Sequence, residues 1–327
     1  MKKLRLYFSV LVAAVLCLSL LAPRPVLAEG NEYAYVGGVP IGIVLDIGGL
    51  LVEGVTGVET EYGTAYPEGL DRGDIIKSID GIDVTDCDDI NGLLSSEPAR
   101  LEIVRGGRNM EIDVTPIVEA YTKKPKLGVK IKDKLYGVGT VSFVRDNGRY
   151  AALGHEIYDA ETGTHLDFAG GKVCACKIVG IKQGDRSEAG AILASIVSDT
   201  DYGSIDCNNN FGIAGNYKGK QELGERLPLA SRSEVRPGYA QIRTTVDDKP
   251  QLYDIEIIKA TKQTGRREKG IIFRITDKNL LKLTGGVVRG MSGSPIIQNG
   301  KIIAAVTHVM LNDFTKGYAL YADCLND

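Results

Sequence analysis

From residue 37 onward the apolar positions come in short β-branched runs, separated by glycine, proline or charged turns. Val39–Leu45 and Gly49–Val55 read as two strands, each entered through glycine. A third is opened by Gly73-Asp74-Ile75-Ile76 and closed on a tight turn by Ile79-Asp80-Gly81. A short polar helix is expected over Asp86–Ser95, then a hairpin of Arg100–Val104 and Met110–Val114 about Arg105-Gly106-Gly107-Arg108. The charged, proline-bearing stretch Thr122–Lys126 marks a domain boundary. Beyond it the pattern is almost wholly β: Gly128–Ile131, Gly137–Val144, Arg149–Leu153, Lys172–Ile181, Ala191–Val197, Ala240–Val246, Leu252–Ala260 and Gly270–Ile275. Asn299-Gly300 then joins an apolar strand to Lys301–Val306 in a hairpin. Strands at this spacing predict a sandwich or a pair of barrels.

Composition adds bounds. With 327 residues, 43% of them hydrophobic, the chain can bury a sizeable core and has the length of about two domains. The net charge is −3 with both signs interspersed, and no basic run marks a nucleic-acid surface. Lys2, Lys3 and Arg5 precede an apolar run from Leu6 to Ala22 and then Val26-Leu27-Ala28, the pattern of an export signal. The run is also close to the shortest membrane span, so 1–28 is expected to be either a cleaved signal peptide or a membrane anchor. After it come Cys87, Cys174, Cys176, Cys207 and Cys324, too sparse for a disulfide scaffold. Cys174-x-Cys176 is one residue short of a zinc knuckle and has no histidine beside it, so no metal and no cofactor is expected.

The chemistry concentrates in Val287-Val288-Arg289-Gly290-Met291-Ser292-Gly293-Ser294-Pro295. A serine hydroxyl attacks only where a base takes its proton and donors receive the oxyanion, so its backbone must bend sharply, as Gly290 and Gly293 permit. The same residues also read as a plain glycine turn feeding the hairpin. Three histidines are available as base: His155, after Gly154 at a strand end; His165, in the polar loop Glu161–His165; and His308, at the end of the last hairpin. Among the acids, Asp159 is too local to reach the far ring nitrogen of His155, and Asp277 also fits as the cap of a short helix through Lys282.

Three resemblances sharpen this reading. The turn Gly290–Pro295 with its following strands resembles the nucleophile loop of chymotrypsin-like serine peptidases, which implies an oxyanion hole at the backbone N–H groups of Gly290 and Ser292. Glu68-Gly69-Leu70-Asp71-Arg72-Gly73-Asp74-Ile75-Ile76 through Ile79-Asp80-Gly81 looks like a PDZ domain. Such domains bind extended peptides at a sheet edge, and the resemblance puts that site at Ile41, Gly42 and Ile43. Taken with Leu153-Gly154-His155, Thr276-Asp277 and Val306-Thr307-His308-Val309, the chain after its signal resembles the stage IV sporulation protein B peptidase family. The implied fold is mainly β: a linker at 29–36, a small PDZ domain at 37–118, a linker at 119–127 and a chymotrypsin-like double β-barrel at 128–327. The implied triad is Ser292, His155 and Asp277. The implied activity is a serine endopeptidase of sporulation signalling, exported to the forespore intermembrane space or the extracytoplasmic membrane face. There it cleaves a membrane-anchored regulator and so triggers processing of a late sigma factor. The competing expectation is a catalytically idle PDZ scaffold.

Overall fold

The computed structural model describes residues 32–325 apart from 91, 165–168, 185–187 and 220–222. The expected signal segment 1–28 and His165 lie outside the described residues. The longer strands are β1 (Tyr33–Val36), β2 (Pro40–Val55), β3 (Ile75–Ile79), β4 (Ala99–Arg105), β5 (Arg108–Val114), β6 (Val129–Arg145), β7 (Arg149–Ala152), β8 (Gly171–Lys182) and β9 (Ala191–Val197). There follow β10 (Gly203–Ile205), β11 (Cys207–Asn209), β12 (Gly212–Asn216), β13 (Gly238–Thr244), β14 (Gln251–Ala260) and β15 (Ile271–Ile275). After the helix α1 (Lys278–Thr284) the chain ends in β16 (Pro295–Gln298), β17 (Lys301–Val309) and β18 (Lys316–Tyr321).

These strands enclose three apolar cores. The C-terminal one is a closed antiparallel barrel in the order β13-β14-β15-β18-β17-β16, filled by Ile242, Ile255, Phe273, Ile296 and Ala304, each at most 1% exposed. The preceding one is a curled sheet in which β2 lies between β6 and β8. It returns on itself where Asp206 N donates to Ala214 O and Gly203 bridges Tyr217. This is the chymotrypsin-like pair of β units.

The third core belongs to a small unit, and it divides the chain differently from the boundary expected at 119–127. β2 and β6 are each continuous through two cores. Ile41, Ile43 and Leu45 of β2 fill the curled sheet, whereas Leu50 and Val52 of the same strand pack with Leu70, Ile76, Leu101 and Leu127. Gly48, at φ +67, bends β2 without ending it, so the two strands expected at Val39–Leu45 and Gly49–Val55 are one. Residues 125–126, inside the linker expected at 119–127, pair with 117–118 in a small ladder. The Gly-Asp-Ile-Ile motif works locally: Asp74, 1% exposed, takes two hydrogen bonds at 2.7 Å from Arg105 and one at 2.8 Å from Asp71 N.

Two expectations are corrected here. Ile41, Gly42 and Ile43 offer no free edge to a peptide, because both sides of their strand are paired: Gly42 lies opposite Val138 on β6 and Cys174 on β8. A Cβ on Gly42 would sit 2.8 Å from Cys174 Sγ. The helix over Asp86–Ser95 shrinks to a 3-10 turn at Cys87–Ile90. The Asp89 carboxylate accepts from Thr85 N and Asp86 N, which favours the tight turn, and Gly92 at φ +95 then reverses the chain.

Candidate active site

The serine turn is built by close approach. Gly290 and Gly293 have φ of +96 and +95, and a Cβ on Gly293 would lie 1.9 Å from Thr140 O. Thr140, 3% exposed on β6, clamps the turn: its N–H donates to Ser292 O at 3.0 Å and its hydroxyl to Gly290 O at 2.9 Å. Its own carbonyl accepts from Leu153 N at 3.3 Å. One side chain and its backbone thus tie the serine turn to the segment that carries His155. Within the turn, the amides of Met291, Gly293 and Ser294 donate to Val288 O, Val306 O and Met291 O. Those of Gly290 and Ser292 have no acceptor among the described residues, which leaves two neighbouring N–H groups for a developing oxyanion.

His155 follows two residues in the left-handed region, Leu153 at φ 68 and Gly154 at φ 78. A Cβ on Gly154 would be 2.8 Å from Thr307 Cγ2, so the bend that turns the ring toward the second barrel requires glycine. His155 Nδ1 is 2.9 Å from Glu156 O. A carbonyl only accepts, so Nδ1 carries the proton and Nε2 presents a lone pair, the tautomer a general base needs. Ser292 and His155 line one cavity of about 800 Å³, with Gly290, Thr307 and His308 also on its wall. In this structure the Ser292 hydroxyl donates to Thr307 O at 2.8 Å, not to His155. Past Ala305 the β16 ladder ends, and β17 is held instead by the serine turn, with Gly293 N and the Ser292 hydroxyl donating to Val306 O and Thr307 O; among the described residues no strand pairs with 308–309 on that side.

His308 also faces His155, with ring centroids 5.3 Å apart, and its Nδ1 is buried with no hydrogen-bond partner among the described residues. Burial, then the nearby His155 and Lys269, push its pKa down to about 4, so it is neutral near pH 7.

Asp277 is not brought to this site. Its carboxylate caps α1, accepting from Asn279 N and Leu280 N at 2.9 Å. Register explains the separation: His308 pairs with Tyr318, and Tyr318 with Ile272. Asp277 is five residues farther along, about 16 Å for extended chain. Asp159 is held instead by Lys132, at 2.7 Å. Among the described residues no carboxylate is hydrogen-bonded to His155, and the backbone carbonyl of Glu156 takes the place expected for the acid. Thr140 and Thr307 were missed because their roles depend on contacts 150 and 15 residues away, which no local pattern signals.

The family model for the SpoIVB peptidase S55 matches residues 123–325. The chain belongs to the SpoIVB peptidase S55 family. As an S55 member it is a serine peptidase, which displaces the idle-scaffold expectation. No curated protein matches it. Among solved structures it is similar to the Rv3671c protease from M. tuberculosis. The active form is 14% identical over 58% of this chain and 70% of that one, with a TM-score of 0.34. The inactive form is 14% identical over 57% and 80%, with a TM-score of 0.31.

Proposed function

We propose that this S55 peptidase uses Ser292 as nucleophile and His155 as general base, and cleaves a membrane-anchored regulatory protein in sporulation signalling. The observation that carries the chemical part is the shared cavity: serine and histidine come from different β units and meet beside the unused amides of Gly290 and Ser292. In the reaction the Ser292 hydroxyl leaves Thr307 O and turns to His155 Nε2, which takes its proton as the oxygen attacks the scissile carbonyl. The oxyanion is received by Gly290 N–H and Ser292 N–H. His155 then protonates the leaving amine, and water repeats the sequence to release the acyl group. Glu156 O keeps the base in its tautomer throughout.

The cellular part rests on family membership and on the export signal read at 1–28: the peptidase reaches the forespore intermembrane space and there acts on the regulator of a late sigma factor. A fluorophosphonate should label the exported wild type but not Ser292→Ala, and only the wild type should cleave the regulator in a sporulating cell. Labelling of Ser292→Ala, or sigma-factor processing that continues without the active serine, would remove the proposal.

A further inference from the structure

Each of the two proposed oxyanion donors belongs to a peptide that its own carbonyl orients, because the C=O and N–H of a trans peptide point opposite ways. For Ser292 N–H that carbonyl is Met291 O, which accepts from Ser294 N at 2.9 Å within the serine turn itself. For Gly290 N–H it is Arg289 O, and the donor comes from outside the turn: Ile192 N on β9, at 2.8 Å. Arg289 N is held by the same strand end, donating to Gly190 O at 2.8 Å, so residue 289 forms a parallel bridge with Ala191. With its carbonyl turned to β9, this peptide directs Gly290 N–H to the opposite side, and Gly290 lines the cavity that holds Ser292 and His155.

The bracing strand is half of a ribbon that leaves one β unit to reach the other. β8 pairs with β2 only through Gly171–Cys174, and from Ala175 to Lys182 its strand partner among the described residues is β9 alone. A two-stranded ribbon has little stability of its own. Contacts with the C-terminal unit seat this one. Ile181 and Ile192, opposite each other in register, pack on the core of the barrel. Gln183 Nε2 donates to Lys282 O and Leu283 O, carbonyls in the last turn of α1, at 2.8 and 3.1 Å. Gly190 passes between β8 and the serine turn, where a Cβ would be 2.5 Å from Lys182 O and 2.8 Å from Val288 Cγ1. Ile192 then covers Gly290, on which a Cβ would lie 3.0 Å from Ile192 Cβ.

We infer that Ile192 is a positioning residue for catalysis, its backbone N–H holding the Arg289–Gly290 peptide so that Gly290 N–H meets the oxyanion. The hole is then assembled from both β units: the serine turn sets one donor, and a ribbon from the unit that carries His155 sets the other. With the ribbon unseated the chain keeps its serine and histidine, but the Arg289–Gly290 peptide can turn over and one donor is lost. The loss is felt where the oxyanion forms and not where the substrate first binds, so it falls on kcat. The inference rests on the reading of Ser292 as nucleophile with Gly290 N–H in its oxyanion hole.

The test compares the full exported chain with Ile192→Pro, in which a ring carbon replaces the amide hydrogen and Arg289 O has to move away. The Ile192 N–H points to Arg289 and not to Ile181, so the β8–β9 ladder keeps its bonds. Two quantities are read: steady-state cleavage of a fluorogenic peptide, and inhibition by the aldehyde of the same peptide. Ser292 Oγ adds to the aldehyde carbon, its proton passes to His155 and the carbonyl oxygen becomes the oxyanion. The expected result is a kcat about 10- to 100-fold lower at near wild-type KM, with the aldehyde Ki raised by a similar factor. Ile192→Val, the conservative variant that keeps the N–H, should recover most of both. A merely structural role would lower kcat through the active fraction and leave Ki unmoved. Should Ile192→Pro fail to fold, the chain with the α-hydroxy acid of isoleucine at position 192, which lacks only the N–H, takes its place. Wild-type kcat and Ki in the folded variant, or a fall in kcat without a rise in Ki, would overturn the inference and leave the nucleophile standing. Turnover by Ser292→Ala at the wild-type rate would overturn both.

Discussion

Replacing Thr140 by valine removes one hydroxyl and keeps the side-chain shape. Thr140 is 3% exposed, whereas Gly290 is half-buried on the cavity wall. Losing the hydrogen bond to Gly290 O costs about 0.5–1.5 kcal/mol of stability. The effect on catalysis is separate. Gly290 sits at φ +96, where glycine has wide freedom, and the 2.9 Å bond from Thr140 fixes the peptide that follows it. Once that bond is lost, the Gly290–Met291 peptide between the two proposed oxyanion donors, Gly290 N–H and Ser292 N–H, can rotate, and their mutual alignment loosens. Complete loss of such a donor lowers kcat about 100- to 1,000-fold, and misalignment should recover part of that, so roughly 10- to 100-fold is expected with KM little changed. Thr140→Ser, which keeps the hydroxyl, should restore most of the rate. The assay is steady-state cleavage of a fluorogenic peptide, with urea unfolding on the same samples. Full kcat in a Thr140→Val protein that has lost only stability would show that the clamp does not govern the oxyanion site.

Asn caps a helix as well as Asp, so Asp277→Asn should leave kcat/KM within about twofold of wild type, while Asp277→Ala should lower stability by about 1 kcal/mol. A rate loss near ten-thousandfold in the folded Asn variant would return Asp277 to the role of orienting acid. His155→Ala should abolish turnover by on the order of a millionfold, whereas His308→Ala should leave a measurable rate; the opposite result would exchange their roles. The third expectation follows from the burial that holds His308 near 4 against an ordinary value of about 6.5. In that interval the unfolded chain takes up a proton that the folded chain refuses, so stability is full above about pH 6.5 and falls as pH drops toward 4. Between pH 7 and 5 the loss attributable to this residue should be about 2 kcal/mol, and His308→Leu should remove it from the urea-unfolding midpoint.

What the sequence disclosed was local chemistry. Glycine on either side of Ser292 announces a bend, and Asn299-Gly300, with φ of 51 and 71, announces its hairpin, because each depends on backbone freedom at the residues themselves. The cap at Asp277 was legible for the same reason. The span of β6 was not, since Lys132, Asp133 and Lys134 interrupt its apolar pattern where it passes from one core to the next and pairs with bulges against β2. Nor was the placement of Ile41, Gly42 and Ile43, because an apolar run does not disclose whether its strand has one neighbour or two. Asp277 shows the limit most clearly. Its separation from His308 is set by the pairing of β15 with β18 and of β18 with β17.

The continuity of β6 also makes the molecule a ruler. Ile131 lies on the wall of a cavity in the small unit, and Thr140, nine positions later on the same strand, touches the serine turn. At about 3.3 Å per residue that is roughly 30 Å of hydrogen-bonded strand, a spacing that no flexible joint can shorten. A polypeptide that reached from that cavity to the serine turn would need on the order of nine extended residues to do so. Shorter partners could hold one place or the other, but never both, so the gauge for substrate reach is set by the backbone of a single strand.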